Sequence, residues 1–112
     1  MIYKACPRSQ WQAAQKFGAY TGSDDDLRDG FIHFSNAEQV EATLAKHFAG
    51  QSDLVLISVD ATVLGDDLKW EPSRGGKLFP HLYGPLNVSD ATKVQEIPLG
   101  ANGHIIPDLE TA

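Results

Sequence analysis

Residues 54–59, LVLISV, form the most strongly apolar run in the chain. The run is short and partly β-branched, with Asp53 and Asp60 on either side. Six residues without polar alternation predict a strand buried on both faces at the centre of a sheet. A strand of that kind needs neighbours at both edges and cover above and below. The rest of the chain has to supply them.

The first strand is predicted over Met1 to Ala5. Ser9 then opens a helix, SQWQAAQKFG, in which Trp11, Ala14 and Phe17 recur at core-facing spacing and Gly18 is the stop. Residues 19–30, AYTGSDDDLRDG, read as a polar loop, with Asp24, Asp25 and Asp26 as a solvated surface run. GFIHFS, residues 30–35, predicts a second strand. Ser35 or Asn36 then caps a helix, NAEQVEATLAKHFAG, closed by Gly50. After the central strand come a turn over 60–67, a strand LKWE at 68–71 and the loop PSRGGK. The strand FPHLY covers 79–83, and Pro80, which lacks an N–H, places it at an edge or a strand start. A helical turn from Ser89, a strand near Val94 to Pro98 and a loose tail over 98–112 complete the chain. The expected fold is a single α+β domain over residues 1–112, a small twisted, split β-sheet core with two main helices.

The 112 residues carry a formal net charge of −6, and their nine basic residues are scattered. That balance disfavours binding built on nucleic-acid phosphates. No apolar run reaches the ~20 residues of a membrane span, and no basic-then-apolar leader opens the sequence, so the expectation is cytoplasmic. Cys6 is the lone cysteine and has no visible activator nearby. Lys69, Arg74 and Lys77 flank a glycine-containing loop that reads either as solvated or as reaching a phosphate. No phosphate loop, dinucleotide fingerprint or nucleophile elbow is present. A metal site is not expected, because the histidines and carboxylates lie on separate strands without a local ligand pair.

Strand alternation singles out one group of residues. In GFIHFS, Phe31, His33 and Ser35 share a face; in FPHLY, Phe79, His81 and Tyr83 do. Lys69 and Glu71 share a face of LKWE, and Gln39 lies about one helical turn beyond Ser35. Two readings stay open for this cluster: hydrogen-bonded core residues, or the wall of a cleft. In a cleft, histidine and tyrosine hydrogen-bond hydroxyls, a tyrosine ring stacks on a flat heterocycle, and a glutamate accepts a proton or stabilises positive charge.

The segments DGFIHFS with Gln39, LVLISVD, KWE and FPHLYGPLN together resemble domain-of-unknown-function family 952 from about Ile2 to Val94. The resemblance implies an ADP-ribosyltransferase-like fold, in which two small sheets enclose a cleft for nicotinamide adenine dinucleotide (NAD). It implies a small-molecule or nucleotide ligand and transferase-like or glycohydrolase-like chemistry. Under it, Glu71, His33 and His81 are the catalytic candidates. Lys4, Ser35, Gln39, Arg74, Tyr83 and Gly84 are the candidates for holding the cofactor. Lys4 stands where relatives commonly carry histidine, which points to a phosphate contact or to a weakened or absent transferase reaction. Asp29 stands where relatives often carry glutamate. The alternative is a non-catalytic ligand-binding or interaction domain whose histidine and tyrosine rows are structural.

Overall fold

The computed structural model describes residues 1–109, apart from the side chain of Arg74. Strand β1 (Ile2–Pro7) leads into helix α1 (Arg8–Phe17), strand β2 (Ala19–Tyr20), helix α2 (Asp24–Asp29) and strand β3 (Ile32–His33). Helix α3 (Val40–His47), strand β4 (Leu54–Val59), a 3-10 stretch (Ala61–Asp67) and strand β5 (Leu68–Pro72) follow. A 3-10 turn (Arg74–Gly76) then joins strand β6 (Leu78–Leu82) to β7 (Leu86–Asn87). A further 3-10 turn (Val88–Asp90) precedes β8 (Ala91–Ile97), and β9 (Leu99–Gly100) and β10 (Gly103–His104) come last.

Two antiparallel three-stranded sheets carry the architecture, ordered β1-β4-β8 and β3-β6-β5. All six residues of β4 are buried, as an apolar run in a central strand requires. Alternation sends Val55, Ile57 and Val59 into a core with Trp11 and Ala14 of α1, and Leu54 and Leu56 into a second core with Val40 and Leu44 of α3. Each helix thus covers one face of the same sheet.

The segment around GFIHFS joins the two sheets. Only Ile32 and His33 pair with β6, opposite Leu82 and His81. Two residues on, Ser35 bridges Tyr3 of β1 instead, with the Tyr3 N–H donating to the Ser35 carbonyl at 2.8 Å and the Ser35 N–H to the Tyr3 carbonyl at 2.9 Å. The predicted strand is therefore divided between two partners.

Several expectations need correction. Residues 19–30 are not a loop. Ser23 and Asp26 form a reciprocal capping box that starts α2, and three aspartates in its first turn complement the helix dipole. Asp26 is not solvated; it is 2 % exposed. The helix expected from Ser35 to Gly50 is shorter: turns over 37–39 precede Val40, and it ends at His47. Pro80 lies in the central strand of its sheet rather than at an edge. Its carbonyl accepts from the Phe34 N–H at 2.9 Å. Carbonyl and nitrogen of a strand residue point to the same side, so the missing donor faces the β3 side, where pairing stops after His33. Where a loose tail is expected, β9 and β10 form a hairpin. Beyond it, Ile106 and Leu109 pack on the second core. Among the described residues no helix is long and apolar enough to cross a membrane.

Candidate functional site

A cavity of about 330 Å³ opens between β1, α2, β3, α3 and β6. Tyr3, Phe34, Phe48 and Phe79 give it apolar walls, and Lys4, His33, Ser35 and His81 line it as well. Its polar wall is α2, which contributes Asp25, Asp26, Arg28 and Asp29.

Lys4 explains why α2 sits there. Alternation places Lys4 on the same face of β1 as Ile2 and Cys6, opposite Ile57. Its amine is buried and meets Asp26 at 2.9 and 3.1 Å. Asp26 also accepts from the His33 N–H at 3.1 Å, lies 2.6 Å from His33 Nδ1, and accepts from the Ser23 N–H at 2.9 Å. Burial pushes the Asp26 carboxyl up. The His33 ring, the Lys4 charge and hydrogen bond, and the Ser23 N–H overcome it and hold the carboxyl far below the ordinary range. Lys4 is committed to a carboxylate of its own chain.

The two histidines, paired opposite each other in β3 and β6, differ in what remains open. His33 has Nδ1 against Asp26 and Nε2 3.0 Å from Asp29 Oδ2. Both ring nitrogens are taken. His81, 5 % exposed, has only Nδ1 engaged, 2.8 Å from Glu71 Oε1. Its Nε2 has no partner among the described residues, and His81 lines the cavity.

Glu71 and Tyr83 stand behind His81 and are not among the cavity's lining residues. The Tyr83 hydroxyl donates to Glu71 Oε1 at 2.7 Å. That bond, followed by the one from His81, holds the Glu71 carboxyl below its ordinary range; the Tyr83 hydroxyl is raised in turn by its bond to Glu71. Phe31 ties the rings together. It stacks on His81 at 4.0 Å and 19°, and tilts against His33 at 4.6 Å and Tyr83 at 5.2 Å. The rows read from alternation therefore meet as one cluster.

The remaining candidates have other surroundings. Ser35 Oγ lies 2.9 Å from Thr43 Oγ1 at the cavity wall. Gln39 is outside the lining. Its Oε1 accepts from the Asn36 N–H at 3.0 Å and its Nε2 donates to the Leu78 carbonyl at 2.8 Å, so its amide closes the turn before α3 and ties it to β6. Gly84 is outside the lining too, beside Asp67. The side chain of Arg74 lies outside the described residues. Sequence reasoning missed Asp26 as the centre of the polar wall. Two signals were available: Ser23 three residues ahead of Asp26, and a lysine in the middle of an otherwise apolar strand face. Among the described residues no group of three histidine, cysteine or acidic side chains is placed to hold a metal ion.

Fold and cavity together define a small α+β protein whose two three-stranded sheets share a histidine-lined cleft. The chain matches the family described as "Protein of unknown function (DUF952)" over residues 5–94, and it belongs to that family. It is similar to the protein CC0527 from Caulobacter crescentus. A crystal structure of that protein shares 53 % sequence identity at a TM-score of 0.89, covering 92 % of this chain and 90 % of that one. Its solution NMR structure gives 53 % identity and a TM-score of 0.83, covering 92 % and 89 %. No curated protein matches the chain.

Proposed function

We propose that the cavity binds a nucleoside-sized ligand, one half of an NAD-type dinucleotide, and that His81 is its acid–base residue. The observation that carries this reading is the open Nε2 of a buried histidine at the cavity wall, with a carboxylate behind the ring. Pockets for small ligands run from roughly 300 to 1,000 Å³. At about 330 Å³ this cavity suits a nucleoside rather than a whole dinucleotide. Apolar walls with a few fixed polar groups are the usual lining of such a site.

In the ADP-ribosyltransferase-like chemistry that the sequence resemblance implies, the bond between nicotinamide and ribose C1′ breaks. Its electron pair leaves with nicotinamide. Water or an acceptor hydroxyl attacks C1′ and gives up a proton to His81 Nε2. Glu71 serves this step through His81, because its carboxylate stands behind the ring and not in the cavity. His33 holds the α2 wall through Asp26 and Asp29. Lys4 is matched by Asp26, so a phosphate would have to find its cation elsewhere.

The test is an NMR titration with NAD and with ADP-ribose, following the amides of His33, Glu71 and His81, together with an assay for released nicotinamide. Saturable shifts around His81 that are lost in His81→Ala, with nicotinamide release, are expected. No shift at millimolar ligand would remove the reading. A second reading, binding without catalysis, is favoured by one observation: Lys4 and His33 have their polar atoms engaged within the chain. Saturable binding without release would establish it.

A further inference from the structure

We propose that Glu71, to which the Tyr83 hydroxyl donates, is a positioning residue that holds His81 in its Nδ1–H form, so that the ring presents the Nε2 lone pair to the cavity. His81 Nδ1 and the Tyr83 hydroxyl converge on one oxygen, Glu71 Oε1, at 2.8 and 2.7 Å. An ionised carboxylate accepts and cannot donate. The Glu71 carboxyl is held below its ordinary range, first by Tyr83 and then by His81, so it is ionised at neutral pH. The proton in the Nδ1 contact therefore belongs to the ring.

The surroundings leave His81 little freedom to turn over. Phe31 lies nearly parallel on one side at 4.0 Å, and His33 meets the ring edge-on at 5.6 Å. The flanking Pro80 and Leu82, fully buried on the opposite face, fix the strand that carries the ring. Turning the ring over would put Cδ2 where Nδ1 stands and lose the 2.8 Å contact with Glu71. The unit lies on one face of the sheet, since Glu71 is registered opposite Phe79, two residues before His81. The His81 side chain is 6 % exposed and that of Glu71 35 %, so the anchoring carboxylate is the more exposed end of the pair. The catalytic use of the lone pair rests on the function proposed above; the tautomer itself does not.

The experiment is a long-range proton–nitrogen NMR spectrum of the ligand-free, nitrogen-15-labelled protein, recorded where His81 is neutral. A protonated Nδ1 and an unprotonated Nε2 are expected. A dominant Nε2–H form, or an equal mixture, would overturn the proposal. In Glu71→Gln the amide can donate as well as accept, and His81 should shift to a mixture or to the Nε2–H form; an unchanged tautomer in this variant, still folded, removes the role of Glu71. Tyr83→Phe should keep the Nδ1–H form while the Glu71 carboxyl titrates at higher pH. An unchanged Glu71 titration removes the part given to Tyr83. A fixed tautomer without ligand-induced shifts would sink the binding reading alone, and ligand shifts on an unfixed ring would sink this one alone.

Discussion

Lys4 and Asp26, 22 positions apart in sequence, meet at 2.9 Å with side chains only 7 % and 1 % exposed. The pair pins α2, one wall of the cavity, to the first strand of the central sheet. Removing either partner leaves an uncompensated charge in the interior, which costs roughly 3–5 kcal/mol. Whole domains are stable by only about 5–15 kcal/mol. Asp26→Ala is therefore expected to lower the denaturation midpoint steeply, and a loss under about 1 kcal/mol in urea unfolding would mean that water reaches the site.

The same carboxyl gives the protein an acid limb. Its folded-state value is depressed, so its contribution is fully present above the unfolded aspartate value, about 3.9. That contribution fades as pH falls from there toward the lower folded value. Stability should drop below about pH 4, and Asp26→Asn should flatten this limb while lowering stability at neutral pH. Parallel limbs in the two proteins would assign the acid sensitivity to other carboxylates.

Gly22 guards Asp26 from the loop before α2. It has φ of +116°, and an added Cβ would lie 2.7 Å from the Asp26 Cβ. A backbone conformation unsuited to side chains, combined with that collision, predicts a cost of about 2 kcal/mol or more for Gly22→Ala. His33 amide shifts should move with it, since Asp26 carries both contacts. A neutral substitution would show that the loop relaxes without moving α2.

Gln39 holds the entry to α3 with both ends of its amide. Gln39→Ala removes two hydrogen bonds at a buried turn and is expected to cost about 1–2 kcal/mol in thermal or urea unfolding. Ligand affinity at the cavity should be unchanged. Lost affinity at unchanged stability would put Gln39 back among the ligand-binding residues.

Cys6 reports on opening of the fold. Burial, the largest influence, pushes its thiol up to about 11, and the side chain is only 1 % exposed. Because the thiolate is the reactive form, a thiol reagent at pH 8 should label Cys6 only as fast as the native state opens, and at once in denaturant. Immediate stoichiometric labelling of the folded protein would show that the β1 face is open to solvent.

Part of this was written in local pattern. An unbroken LVLISV permits few environments, and the central strand formed with a helix over each face. Aromatic–histidine alternation in two short strands was enough to bring Phe31, His33, His81 and Tyr83 together, because a strand's period of two leaves its side chains only two faces. Pattern failed where a residue's meaning depended on a distant partner. Three consecutive aspartates read as solvated since charge is normally solvated, and nothing within a local window shows that Lys4 will neutralise Asp26. The strand signal in GFIHFS extended past His33, but the chain's crossing from one sheet to the other was set by Tyr3 pairing with Ser35.

The sequence by itself determined the element types and which residues could share a face, because both follow from local periodicity and apolar content. Only the tertiary structure decided which histidine is available. His33 and His81 sit in nearly identical local contexts, each in a strand and two residues after a phenylalanine. His33 folds against two carboxylates of α2 and keeps neither nitrogen free; His81 folds against the single carboxylate of Glu71 and keeps one. That difference comes from long-range packing of charges in a low-dielectric interior, where each buried polar group must find its partner.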